Sequence, residues 1–245
     1  MAGRGLFPAA LLALAVWLAA CAGQSDADLP PDEAFARAVA EFQDGNFKTA
    51  ARKFDAVENR DPFSPLVPKA QLLGAEAWYS AEKYDDAVLA VERFLHFNPA
   101  HPDTARAHYI RAQSYYAQIA DSSRDQQMTR LALGYLAELG RRYPDSEYAR
   151  DAEQKVAECR ERLAGQELAV GRFYQKNNNF VAALDRYGTV ASDYRTTTLA
   201  PESLYRAAEV YRALGLDDLA AIYAAQLALD HADSPWAARG AELVR

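Results

Sequence analysis

Cysteine is nearly absent from this chain. Only Cys21 and Cys159 occur among 245 residues, so no disulfide framework holds it together. Cationic charge is not in excess either, since 27 Lys and Arg stand against 34 Asp and Glu for a formal net charge of −7. Such a chain lacks the basic face on which general nucleic-acid binding rests. The uncharged run from Leu6 to Ala20 is shorter than the roughly 20 residues of a bilayer-spanning helix. No useful run alternates Val, Ile or Thr with polar residues, so strands are not expected. Signatures of catalysis are missing as well: there is no His-Glu-x-x-His, no Gly-x-Ser-x-Gly and no glycine-rich phosphate loop. His96, His101, His108 and His231 have no Cys at metal-ligand spacing. Glu92 and His96, four apart, read as a surface pair, and Asp85-Asp86 and Asp217-Asp218 as helix-start residues that complement the dipole. Neither a cofactor nor catalysis is expected.

The N-terminus, by contrast, has a defined character. Arg4, an apolar segment and small residues ahead of a cut have the form of an export signal. Leu18-Ala19-Ala20-Cys21 resembles the lipobox of bacterial lipoproteins, which implies cleavage before Cys21 and its acylation; a plain signal peptide with a chance Cys is the alternative. Each buried acyl methylene contributes about 0.8 kcal/mol, and two chains hold firmly where one holds only marginally. Residues 22–31, "AGQSDADLPP", form a short spacer ending in Pro31 at a helix start, followed by Asp32 and Glu33. With Cys21 acylated, Cys159 has no intramolecular partner. It lies in helical "YARDAEQKVAECRERLAG" and reads as a small core residue.

Beyond the spacer the pattern is helical and it repeats. Aligning "DGNFKTAARKF" (44–54), "AEKYDDAVLAV" (81–91), "NNNFVAALDRY" (177–187) and "LGLDDLAAIYA" (214–224) places Ala50, Ala87, Ala183 and Ala220 in one column. Twelve residues upstream stand Ala38, Ala75, Gly171 and Ala208, small residues that let paired helices approach. Three further on, Trp78, Tyr174 and Tyr211 supply a large ring. Pro62 and Pro99 lie twelve after the column and end the second helix, because proline lacks the N–H. Taking Pro144 as the same terminator reveals a further unit with Ala132 in the column, Ala112 and Tyr115 in its first helix, and a loop lengthened by "ADSSRDQQ". Arg195 and Ala232 replace the proline in the last two units. Ser146–Leu163, continuing toward Gln175, reads as one long helix joining three repeats to two. The expected fold is all-α, a superhelical solenoid of about five tetratricopeptide-type helix-turn-helix repeats. The expected division is a signal over 1–20, Cys21 with its spacer over 21–31, a three-repeat block over 32–144, and the long helix with two repeats over 145–245.

In this repeat class the first helices line the concave face. Helical geometry then exposes Phe35, Val39 and Phe42 in the first repeat, Lys69, Leu72, Glu76 and Tyr79 in the second, and Arg106, Tyr109, Gln113 and Tyr116 in the third. An aromatic strip of this kind suits an extended peptide; cover by the spacer or a capping element is the alternative. In the fifth repeat Glu202, Tyr205, Glu209 and Arg212 present a charged face that suits a polar protein contact.

The lipobox, the repeats and the connecting stretches "DPFSPLVPKAQ", "FLHFNPAHPDTARAHY", "RDQQMTRLAL", "RRYPDSEYARDAEQKVAECRERLAGQELAVGRFY" and "YRTTTLAPESLYRAAEVYRALGL" together resemble the BamD family, lipoproteins of the outer-membrane β-barrel assembly machine. The resemblance implies a non-catalytic adaptor on the periplasmic face of the outer membrane, lipid-anchored through Cys21. Its implied partners are the POTRA domain of BamA, unfolded outer-membrane β-barrel precursors and other lipoproteins of the machine. It carries the BamA contact to Arg212 in "VYRALG", beside Tyr205 and Glu209, and the precursor contact to Pro62–Leu66, which includes Phe63. Leu66 and Arg106 stand at or near positions where the family commonly has an aromatic. The residues alone leave open a different lipid-anchored repeat adaptor, one serving pilus secretin assembly or envelope constriction.

Overall fold

The computed structural model describes residues 29–120 and 125–245. The signal, Cys21 and the spacer up to Asp28 therefore lie outside the described residues, as do positions 121–124 of the lengthened loop. The described residues hold eleven α-helices and no strand, and none of the helices is long and apolar enough to cross a membrane. They run α1 (Pro31–Gln43), α2 (Phe47–Arg60), α3 (Val67–Ser80), α4 (Tyr84–Phe97), α5 (Thr104–Ala117), α6 (Gln127–Arg142), α7 (Ala149–Lys176), α8 (Phe180–Asp193), α9 (Ala200–Ala213), α10 (Asp217–Asp230) and α11 (Pro235–Leu243). The fold is all-α and of the tetratricopeptide-repeat type. Two compact units divide between Ala81 and Glu82, whereas the boundary expected at 144/145 lies within the second unit.

Local chemistry accounts for where the helices begin and end. Pro31 occupies the first turn of α1 ahead of Asp32 and Glu33, where its missing N–H is no loss. Asn179 caps α8 by accepting from the Ala182 N–H, and Ser234 caps α11 by accepting from the Trp236 N–H. α2, α4 and α6 stop two residues before Pro62, Pro99 and Pro144, and α8 and α10 stop in the same register before Arg195 and Ala232. One backbone turn is common to all five ends: Ser64, His101, Ser146, Thr197 and Ser234 each donate to the carbonyl three residues back. The proline sharpens a stop that this turn makes without it. Gly45, Glu82, Asn178 and Gly215 all have positive φ, between 56° and 80°, each five residues before a column alanine. Glycine occupies that left-handed conformation without penalty, asparagine tolerates it, and glutamate does so only with strain.

The first unit packs Ala34, Ala38, Ala50, Ala51, Phe54, Val57, Ala70 and Ala77 into one core, which Leu29 joins from the spacer. In the second unit α7, 28 residues long, belongs to two cores. Its N-terminal half brings Ala152 and Cys159 to Ala112, Ala132, Leu136 and Leu139. Its C-terminal half brings Ala164 and Leu168 to Ala183, Tyr187 and Val190. Cys159 is fully buried, and burial pushes its thiol up to about 11, so it is an apolar filler with negligible thiolate at neutral pH. Gly171 passes so close to Tyr187 that a Cβ there would lie 2.6 Å from the ring.

Two thermal-denaturation outcomes follow. Glu82→Gly raises stability by about 1 kcal/mol, because glycine relieves the left-handed strain. Gly171→Ala lowers it by roughly 1–3 kcal/mol, the usual cost of overpacking. A lower melting temperature for Glu82→Gly, or an unchanged one for Gly171→Ala, would contradict these assignments.

Candidate functional site

In the first unit the expected aromatic strip is partly absorbed into the core. Phe35 packs on Phe54 with ring centroids 5.7 Å apart, and the Lys69 ammonium sits 5.6 Å above the Phe35 ring. Phe42 meets Phe47 edge-on, and Phe42 and Leu66 lie half-buried against the core. Leu72 was expected to face a ligand, but it is 2% exposed. α3 buries Val67, Ala70, Gln71, Leu72, Gly74, Ala75 and Ala77, residues spread around well over half its circumference, which leaves little of it to a groove. Tyr79 is half-buried.

Phe63 behaves differently, with 96% of its surface exposed. The loop that carries it, between α2 and α3, is braced from both sides. The Phe63 N–H donates to Asp61 Oδ1 at 3.1 Å, and the Leu66 N–H donates to Ser64 Oγ at 3.3 Å, with Ser64 itself buried. Asx- and Ser-type turns of this kind fix a loop without a hydrophobic contact. The ring stands free on a backbone that is held.

In the second unit the expected strip on α5 is fastened to α7. Tyr109 donates to Asp151 Oδ2 at 2.7 Å and stacks on Tyr148 with centroids 4.6 Å apart. Gln113 and Lys155 reach the same carboxylate at 3.0 and 2.7 Å. Burial pushes Asp151 up, but the bonds from Lys155, Tyr109 and Gln113 outweigh it and hold the carboxyl below its usual range. Tyr116 donates to Glu158 and lies under the Lys155 ammonium; burial first, then that carboxylate, push its hydroxyl up to about 12. Tyr109 and Tyr116 are therefore fastening residues, not an open strip, because the long helix lies across the face they present. Arg106 is half-exposed on the same helix.

The charged face expected in the fifth repeat also turns inward over most of its length. Glu202 is only 8% exposed, and Arg172 on α7 grips it through two bonds, Nε to Oε1 at 3.0 Å and Nη2 to Oε2 at 2.5 Å. Arg206 joins Glu202 to Glu209, and Gln175 ties Glu209 to the buried Tyr187 hydroxyl. Tyr205 hydrogen-bonds Glu209 and packs on Trp236, whose ring also carries Arg206 and Arg239. Arg212 alone of the three expected contacts is exposed, with Leu214, Leu216 and Leu219 following it at 44, 46 and 38% exposure. Sequence reading missed Arg172, Arg206 and Trp236. The Glu202/Arg206 spacing of four signals one helical pair, whereas nothing in the sequence signals the bond across thirty residues.

A cavity of about 440 Å³ in the second unit is lined by Glu92, His96, His108, Arg111, Glu138 and Arg142 among others. His108 is 5% exposed, and Arg111 Nη2 lies 2.9 Å from its Nδ1. Burial, then Arg111 and Arg142, lower its pKa to about 4, with Glu138 acting the other way. At neutral pH the ring is uncharged and accepts from Arg111, which is a fastening. Among the described residues no three His, Cys, Asp or Glu are grouped to hold a metal ion. Because the unfolded chain binds this proton more readily, stability is fully present above pH 6.5 and is lost as pH falls toward 4, by about 1.4 kcal/mol per pH unit. Urea denaturation between pH 7 and 4.5 should show this slope, and His108→Gln should flatten it. An equally steep slope in the variant would refute the assignment.

Comparison with known proteins gives consistent results. A family model described as outer membrane lipoprotein, YfiO, matches residues 27–227. The outer membrane protein assembly factor BamD of Rickettsia prowazekii is 32% identical over 239 residues, covering 96% of this chain and 95% of its own. The BamD of Caulobacter vibrioides is 32% identical over 240 residues, covering 96% and 79%. That of Neisseria meningitidis serogroup A is 33% identical over 228 residues, covering 86% and 85%.

Proposed function

This chain belongs to the BamD family of outer-membrane assembly factors, and from that premise we propose that it is a lipid-anchored adaptor of the outer-membrane β-barrel assembly machine. It binds unfolded barrel precursors with its first unit and BamA with its last repeat, and it works by binding without catalysis. The similarity over 96% of the chain supports the role. The observation that carries the precursor contact is Phe63, a large ring exposed over 96% of its surface on a braced loop. An exposed aromatic held by its backbone loses little entropy on binding. It suits the alternating aromatic pattern at the C-terminal β-strand of such a precursor, and Leu66, Phe35 and Tyr79 of the same unit complete the proposed contact.

Arg212 carries the BamA contact. It is exposed beside Leu214, Leu216 and Leu219, a combination of charge and apolar surface that suits a protein interface. Tyr205 and Glu209 act through the network that positions α9. The acylated Cys21 holds the whole on the periplasmic face of the outer membrane and raises the local concentration of captured precursor there.

Fluorescence anisotropy with a labelled peptide from a precursor's C-terminus tests the first unit. Phe63→Ala should weaken binding roughly tenfold, the order of a single aromatic anchor, without moving the melting temperature. Undiminished affinity would remove Phe63 from the account. Co-purification tests the other end: Arg212→Glu should release BamA, and an intact complex would refute the contact. Cys21→Ala should leave the repeats folded while freeing the chain from membranes that lack BamA.

A further inference from the structure

Between α1 and α2 the first unit holds a cavity of about 290 Å³. Leu29, Ala34 and Ala56 give it an apolar floor, and Arg37, Arg52, Lys53 and Arg60 stand around it. Thr49, Arg52, Lys53, Ala56 and Arg60 follow at three- and four-residue spacing, so one face of α2 is cationic in a chain whose net charge is −7. Of the two acidic residues of the same helix, Asp55 faces away, toward Trp78, whose indole donates to it at 3.4 Å, and Glu58 does not line the cavity. Two of the cations already hold carboxylates: Arg37 lies 3.2 Å from Glu33, and Lys53 lies 2.8 Å from Glu41. Arg52 and Arg60 have no ion-pair partner among the described residues.

Two unpaired guanidiniums beside an apolar floor match a ligand with an anionic head and an apolar body. The place of this face in the chain says where such a ligand is found. Leu29, 5% exposed, lines the cavity and stands eight residues after Cys21, a stretch that reaches at most about 28 Å when extended. On the lipid-anchored reading, the cationic face cannot leave the neighbourhood of the bilayer. We propose that Arg52 and Arg60, over the Leu29 cavity, bind anionic phospholipid headgroups through their phosphates and so lay the first unit against the membrane surface. An acyl anchor and a cationic patch together hold a protein far better than either does alone.

Native mass spectrometry of the full chain in a neutral detergent tests this, with phosphatidylglycerol, phosphatidylcholine or glycerol phosphate added. Phosphatidylglycerol adducts should form at about tenfold lower concentration than phosphatidylcholine adducts. Arg52→Glu with Arg60→Glu should abolish the preference, and Arg52→Lys with Arg60→Lys should keep most of it, with helicity by circular dichroism unchanged in both. The Cys21→Ala chain should keep the preference too, which separates this site from the anchor. Equal adducts for both lipids, or no loss in the glutamate variant, would overturn the proposal. Glycerol phosphate competing as well as the whole lipid would overturn the membrane assignment in favour of a soluble phosphate. Displacement of the lipid by an acidic amphipathic peptide at equal concentration would overturn it in favour of a protein partner.

Discussion

A Cβ at position 171 would fall inside the contact radius of the Tyr187 ring, and that closeness between paired helices governs the architecture. Helices of about fourteen residues are marginal in water when isolated, so each forms only as it packs. Ala38, Ala112 and Ala208 are fully buried at equivalent places, and Ala50, Ala132 and Ala220 are the buried column residues of their partner helices. Where one helix supplies a small residue, the other fills the space with a ring such as Phe54 or Tyr187, both essentially inaccessible to water. The column of alanines, the left-handed turn five residues before it and the helix stop beyond it all serve this one fit.

Packing of this kind consumes the apolar faces and sorts the polar groups. Asp151 satisfies three donors at once, Glu202 is gripped by Arg172 and Arg206, and Glu209 closes the chain to Tyr187. Glu202 is buried and would be costly without partners; it has them, and with Asp151 and Glu209 it ties α5 and α9 to α7. What the packing leaves on the surface includes the Phe63 loop and Arg212 with its leucines. On the function proposed above, binding falls to such groups, which the packing did not use.

Much of this was legible in the sequence. The small residue and the alanine recur twelve apart in four of the five repeats, three of them with a large ring three residues after the small one, because each repeat solves the same packing problem, and a solution so repeated is visible as a period. Pro62, Pro99 and Pro144 marked helix ends for the same reason, since a missing N–H acts locally. The two irregular ends before Arg195 and Ala232 were less legible, because the turn that stops α8 and α10 is a backbone hydrogen bond with no residue type to announce it. Among the site residues, Arg212 is on the surface as expected, whereas Leu72, Tyr109, Tyr116 and Glu209 are engaged inside the protein.

That difference has one cause. Periodicity along a helix says which side chains share a face, and this suffices for an all-α repeat fold, for the column residues, and for assigning Cys159 to the core. It says nothing of what lies opposite that face. Only the tertiary structure decided that α7 covers the tyrosines of α5, that Arg172 reaches Glu202 thirty residues away, and that Phe63 is left exposed. Those outcomes depend on distances between segments remote in sequence, and no single segment encodes them.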